Sequence, residues 1–140
     1  MRTQVGIIGA GPAGLMLARL LHLQGIESII IENRSRDYIE NRIRAGLIED
    51  WAANFLTDIG VGERMNRESM VHWGNYIGIN GELHLLDFKK LVGKRVTIYG
   101  QQEIVKDMVV QRLADGGPLL FEVDGVSVHN VTGKQPKIRF

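Results

Sequence analysis

The chain has 140 residues, 44% of them apolar, which suits one domain with a single core. Its 17 Lys and Arg stand against 16 Asp and Glu, and the net charge of +1 leaves no broad electrostatic footprint for nucleic acid or an anionic membrane, so a small-molecule partner is expected. The absence of cysteine excludes disulfides, thiolate metal sites and cysteine nucleophiles and fits a reducing cytoplasm.

Arg2 followed by the apolar stretch Val5 to Ala18 imitates a secretion signal, but Gly6, Gly9, Gly11, Pro12 and Gly14 interrupt it. No run approaches the roughly 20 apolar residues that span a bilayer, and a soluble protein is expected. Gln4 to Ile8 is a short apolar run that ends at glycines. Pro12 to Leu23 then carries Leu15, Met16, Leu17, Leu20, Leu21 and Leu23 at helical length, with Gly25 as its stop. Ser28 to Ile31, closed by Glu32, reads as a buried parallel strand, so the first 32 residues form a βαβ unit.

Asn33 to Asn41 is polar and reads as a connecting loop with a helical turn. Leu47, Ile48, Trp51, Phe55, Leu56 and Ile59 recur at helical spacing up to Gly60, which predicts an amphipathic helix. Tyr76 to Ile79 and Glu82 to Leu86 flank Asn80-Gly81, the favoured dipeptide of a type I′ hairpin. Arg95 to Tyr99 reads as a strand, and Gln101 to Leu113 as a crossover helix with Ile104, Val105, Met108, Val109 and Leu113 on one face. Leu119 to Val123, Val126 to Val131 and Lys137 to Phe140 read as strands separated by Asp124-Gly125 and Thr132-Gly133 turns. The last of these reads as an unpartnered strand in a truncated chain. The organisation expected is a Rossmann unit over residues 1–75, then β-strands with one crossover helix over 76–140, the incomplete start of a β-rich second layer.

Gly9-Ala10-Gly11-Pro12-Ala13-Gly14 matches G-x-G-x-x-G, and it lies between a strand and a helix, the context that gives this pattern meaning. Gly9 permits the tight turn, Gly11 lets the backbone approach a pyrophosphate, and Gly14 lets the helix pack on the strand. The helix N-terminus offers unpaired amides and partial positive charge to phosphates. Glu32, at the end of the second strand, is placed to accept hydrogen bonds from ribose hydroxyls and to repel a phosphate there. The site therefore suits the adenosine half of FAD or NAD and argues against NADP in this fold; the fingerprint leaves FAD and NAD both open. No metal site is expected.

Asp37-Tyr38, the run Asn41-Arg42-Ile43-Arg44-Ala45-Gly46, Val71-His72 and Val96-Thr97-Ile98-Tyr99-Gly100-Gln101 together resemble the para-hydroxybenzoate hydroxylase family of class A flavoprotein monooxygenases. The resemblance runs in register from Met1 to about residue 114, with a small deletion near Gly93. It implies an α/β, Rossmann-like fold holding FAD through Gly9, Gly11, Ala13, Gly14, Glu32, Arg42, Arg44 and Gln101. It also implies NAD(P)H contacts at Arg34, Tyr38 and Arg42, and a proton relay that includes His72. The implied reaction hydroxylates 4-hydroxybenzoate or a similar phenolic acid ortho to its hydroxyl, with O2 and a flavin hydroperoxide, and the implied assembly is a homodimer. Asn33 stands where the family often has an arginine, so NADPH and NADH are both open as donors. The family's substrate ligands and flavin-covering segments lie beyond Phe140, and the chain alone is expected to be inactive. The competing readings are another flavin oxidoreductase with the same opening and a non-catalytic dinucleotide-binding module.

Overall fold

A computed structural model describes all of residues 1–140. In chain order the elements are β1 (Val5–Ile8), α1 (Pro12–Leu23), β2 (Ser28–Ile31), α2 (Arg36–Asn41), β3 (Leu47–Glu49), α3 (Asp50–Asp58), α4 (Glu63–Glu68) and β4 (Met70–His72). They continue with β5 (Gly74–Ile79), β6 (Glu82–Asp87), α5 (Phe88–Val92), β7 (Val96–Ile98), α6 (Gln101–Ala114), β8 (Leu119–Leu120), β9 (Ser127–His129) and β10 (Lys137–Arg139). These form two compact units. One comprises Met1–Arg42 with Met108–Phe140, the other Ile43–Asp107, and the boundary falls inside α6. This partition differs from the division expected at residue 75, because the end of the chain returns to the first sheet: β8 pairs with β2.

In the first unit, β1, β2 and β8 form a parallel sheet in the order β1-β2-β8, with Ile7 opposite Ile30 and Ile31 opposite Leu120. The two sheet faces need apolar cover, and Ile7, Ala10, Leu15, Ala18, Ile30, Met108 and Val109 are buried. Helix α1 opens with Pro12 at its first position and closes when Gly25 N–H reaches His22 O (2.9 Å) and Ile26 N–H reaches Leu21 O (2.9 Å), a Schellman ending. The guanidinium of Arg112 on α6 donates to the carbonyls of Ser28 and Pro118, tying that helix to the entries of β2 and β8. Its burial pushes the guanidinium below its ordinary range, against the opposing pull of Asp115. The final strand is not partnerless: β10 pairs antiparallel with β9, and its Ile138 packs over the open face of Gly6.

In the second unit, β7 lies between β3 and β4 in an antiparallel sheet, and β5 and β6 form a separate hairpin. The Asn80-Gly81 turn has positive φ at both positions (51° and 83°), as a type I′ turn requires. The expected helix over Leu47 to Ile59 is shorter. Leu47 and Ile48 belong to β3, where they face Ile98 and Thr97 of β7, and the helix occupies Asp50–Asp58 alone. Pairing with a distant strand overrode the local helical spacing. Helices α4 and α5 and strand β4 were not read from the sequence at all. No helix is long and apolar enough to cross a membrane.

Candidate functional site

The glycine turn leaves β1 with Gly9 N–H bonded to Ile31 O on β2 (2.7 Å) and with Gly9 at φ +104°, a backbone that side-chain-bearing residues rarely adopt. Gly14 lies so close to the turn that a Cβ there would stand 2.0 Å from Gly9 O, which explains the need for glycine. At Gly11, by contrast, a Cβ would meet nothing within 4 Å, so open space faces the turn. The first-turn amides of Ala13 and Gly14 have no acceptor within the helix, and Gly11 supplies no side-chain cap. A pyrophosphate suits that space, those amides and the positive end of the α1 dipole.

Glu32 is buried where β2 ends. Its Oε2 accepts from Ala10 N–H at 2.8 Å and its Oε1 from Arg34 N–H at 2.8 Å, so the carboxylate is clamped between the glycine turn and the start of the next loop. Each oxygen keeps a further lone pair, which suits it to two ribose hydroxyls. Beside it is a pocket of about 300 Å³ lined by Ile8, Gly9, Ile31, Glu32, Asn33 and Val123–Val126. The last of these segments was not read as part of the site. It is held there by Val123 N–H to Glu32 O (3.0 Å) and Glu122 N–H to Arg34 O (3.2 Å), with the Asp124-Gly125 turn as its one sequence signal. The residues present fit the adenosine diphosphate half of a dinucleotide.

Arg34, Tyr38 and Arg42 come together on the exposed side of α2. The Arg34 guanidinium lies 5.2 Å and that of Arg42 5.7 Å from the Tyr38 ring centre, and Ser35 caps the helix by accepting from Tyr38 N–H. Two cations against one aromatic ring make a surface suited to phosphate.

In the second unit, the segment Arg44-Ala45-Gly46 runs antiparallel to Tyr99-Gly100-Gln101. Tyr99 N–H donates to Gly46 O (2.7 Å) and Gln101 N–H to Ala45 O (3.2 Å). A Cβ on Gly46 would stand 2.9 Å from Gly100 Cα, so the two motifs abut through their glycines. Arg44 is exposed and Gln101 half-buried at the start of α6. His72 is exposed on β4 opposite Val96, and it is not gathered with Arg44 and Gln101 by any hydrogen bond.

Beneath this junction is a charged cluster that sequence reasoning missed. The buried Tyr99 phenol donates to Asp107 Oδ2 at 2.7 Å, and Arg64 bridges Asp107 Oδ1 (2.6 Å) and Glu103 Oε2 (2.7 Å). Burial, helped by the bond to Asp107, pushes the phenol above its ordinary range, with Arg64 opposing. For Arg64, burial pulls downward, yet the bonds to Asp107 and Glu103 carry the guanidinium above its ordinary range. Hydrogen bonds from Lys106 and Arg64 hold the Glu103 carboxyl below its ordinary range against its burial.

Comparison with known proteins agrees with this geometry. Residues 2–140 match the FAD binding domain family. Over 141 residues and all of its length, the chain is 40% identical to p-hydroxybenzoate hydroxylase of Acinetobacter baylyi and spans 35% of that protein. It is 34% identical over 82 residues, 59% of the chain, to a probable NADH-specific resorcinol 4-hydroxylase of Rhodococcus jostii, of which it covers 15%. The fold superimposes on pqsL, a probable FAD-dependent monooxygenase from Pseudomonas aeruginosa, with a TM-score of 0.80 at 19% identity, covering 98% of this chain and 38% of that one. It also superimposes on p-nitrophenol 4-monooxygenase PnpA from Pseudomonas putida with a TM-score of 0.72 at 18% identity, covering 96% and 38%. With nearly every residue inside the match, the chain belongs to the FAD binding domain family.

Proposed function

We propose that this chain is the FAD-binding opening of an aromatic-ring hydroxylase that acts on 4-hydroxybenzoate or a similar phenolic acid, in the cytoplasm, with NADPH or NADH as electron donor. The observation that carries the reading is the clamped Glu32 carboxylate, held by the amide of Ala10 inside the glycine turn and flanked by open space at Gly11. FAD supplies the redox and oxygen chemistry; the protein binds it, orients it and keeps its reacting end dry. Ala13 and Gly14 amides take the pyrophosphate, Glu32 takes the adenosine ribose, and Gly9 and Gly11 keep the turn close enough to do so. Arg42, Arg44 and Gln101 hold the remaining polar edge of the cofactor, and Arg34 and Tyr38 receive the nicotinamide donor. His72, exposed to solvent on β4, passes the phenolic proton to solvent.

The test is titration of the chain with FAD, followed by flavin fluorescence and binding heat, with NAD as competitor. FAD binding that NAD does not displace is expected. Because the aromatic end of the cofactor contributes much of the buried area in such sites, the affinity of these 140 residues is expected to be modest. Preference for NAD would overturn the hydroxylase reading and make this the cofactor half of a nicotinamide enzyme.

A further inference from the structure

The junction between Arg44-Ala45-Gly46 and Tyr99-Gly100-Gln101 rests on two backbone bonds, Tyr99 N–H to Gly46 O and Gln101 N–H to Ala45 O. Two amide bonds at the end of a three-residue strand are a weak anchor, since strand ends fray. Yet Tyr99 is buried to 6% exposure, and its hydroxyl does not end in apolar surroundings. It meets a carboxylate of α6, Asp107, which Arg64 of α4 holds from its other oxygen. Arg64 also takes Glu103 through both its side chain and its backbone carbonyl (3.0 Å), and it lies 5.4 Å from the Tyr99 ring centre. One arginine thus joins α4, the first turns of α6 and the end of β7, all within the second unit.

We infer that the Arg64–Asp107–Tyr99 bridge is a positioning device that sets the Ala45–Gln101 junction, and with it the side chains of Arg44 and Gln101, for the cofactor. The inference rests on the reading of those two residues as cofactor contacts. The physical reason is that Tyr99 is covalently two residues from Gln101 and is pinned at both ends: its amide to Gly46, its hydroxyl to Asp107. Rotation of β7 that would lift Gln101 away from Ala45 must therefore break a part-buried hydrogen bond to a charged acceptor, which costs more than a neutral one. Burial and the neighbouring carboxylate keep the phenol protonated, and therefore a donor, through the neutral range. Tyr99, Asp107 and Arg64 act through Gln101 and Arg44 and are not themselves cofactor contacts.

Tyr99→Phe keeps the ring and removes the pin. Amide hydrogen exchange of the 140-residue chain without cofactor is expected to quicken at Gln101 about tenfold, while amides of the β5–β6 hairpin keep their rates. Arg64→Lys, which keeps the charge but replaces three nitrogens on three acceptors by a single ammonium, is expected to do the same, and it serves if the phenylalanine variant folds poorly. In FAD titrations Tyr99→Phe is expected to weaken binding about fivefold in the parent chain and not at all in a background carrying both Arg44→Ala and Gln101→Ala, because its effect passes through those two side chains. Unchanged exchange at Gln101 in both variants, or equal losses of FAD affinity with and without the Arg44 and Gln101 side chains, would overturn the inference. If Gln101→Ala and Arg44→Ala leave FAD affinity intact while exchange still quickens, the cofactor reading of those residues fails and the pin itself stands.

Discussion

Glu32 holds two backbone amides in a buried position, and this decides what a conservative change does there. Glu32→Gln keeps the shape but turns an NH2 group toward an N–H donor, leaving either Ala10 or Arg34 without its acceptor. Hydrogen bonds to charged groups contribute about 1.5–3 kcal/mol, so FAD affinity is expected to fall by roughly tenfold or more. Parallel melting curves separate that loss from lost stability, and unchanged affinity would mean that the carboxylate is structural only. The placement of Glu32 beside the glycine turn was legible in the sequence because it depends on a local frame: a glycine turn, a helix of standard length and a strand that ends in an acid. The partners of Tyr99 were not. Asp107 and Arg64 are ordinary helix-surface charges by composition, and only the burial of a phenol between them gives them a role.

At the scale of elements, the two motifs that carry the family resemblance prove to be neighbours across one antiparallel pairing. Gly46 and Gly100 allow it, and Gly46→Ala would press a methyl group against the backbone at Gly100, where nothing flexible yields. Overpacking of this kind costs about 1–3 kcal/mol. The expected result is a lower melting temperature and weaker FAD binding, whereas Gly11→Ala, with open space before it, is expected to lower FAD affinity and leave the melting temperature nearly unchanged. Melting of the two variants side by side checks this, and equal destabilisation would refute the steric account. The strand Leu47–Glu49 shows why the sequence misled here. Its residues continue the spacing of the helix that follows, and the strand exists only because β7 offers a ladder about fifty residues away. Strand β4 is three exposed residues with no alternating pattern, so its pairing with β7 leaves no trace in periodicity.

For the whole molecule, three of the four groups with displaced titration, Arg64, Tyr99 and Glu103, lie in the second unit, and the fourth, Arg112, in the first. Tyr99 is raised above its unfolded value, so its contribution to stability is complete below about pH 10 and is lost as pH rises toward the folded value. Glu103 is lowered, so its contribution is present above about pH 4.3 and is lost as pH falls through the folded value. Denaturant melts across that range should give a plateau with a fall at each end. Tyr99→Phe should flatten the alkaline fall and Glu103→Gln the acid one; profiles parallel to that of the unaltered chain would show that neither group couples to folding.

What the sequence determined by itself is the β1-α1-β2 start, the glycine turn, Glu32 and the Asn80-Gly81 hairpin, because each is written in contiguous residues whose backbone demands are local. Tertiary structure alone decided that residues 108–140 return to the first unit, that Val123–Val126 line the pocket beside Glu32, and that Tyr99, Asp107 and Arg64 meet. Those arrangements join residues dozens of positions apart through pairing register and burial, and the energy that selects them belongs to the assembled core rather than to any stretch of chain.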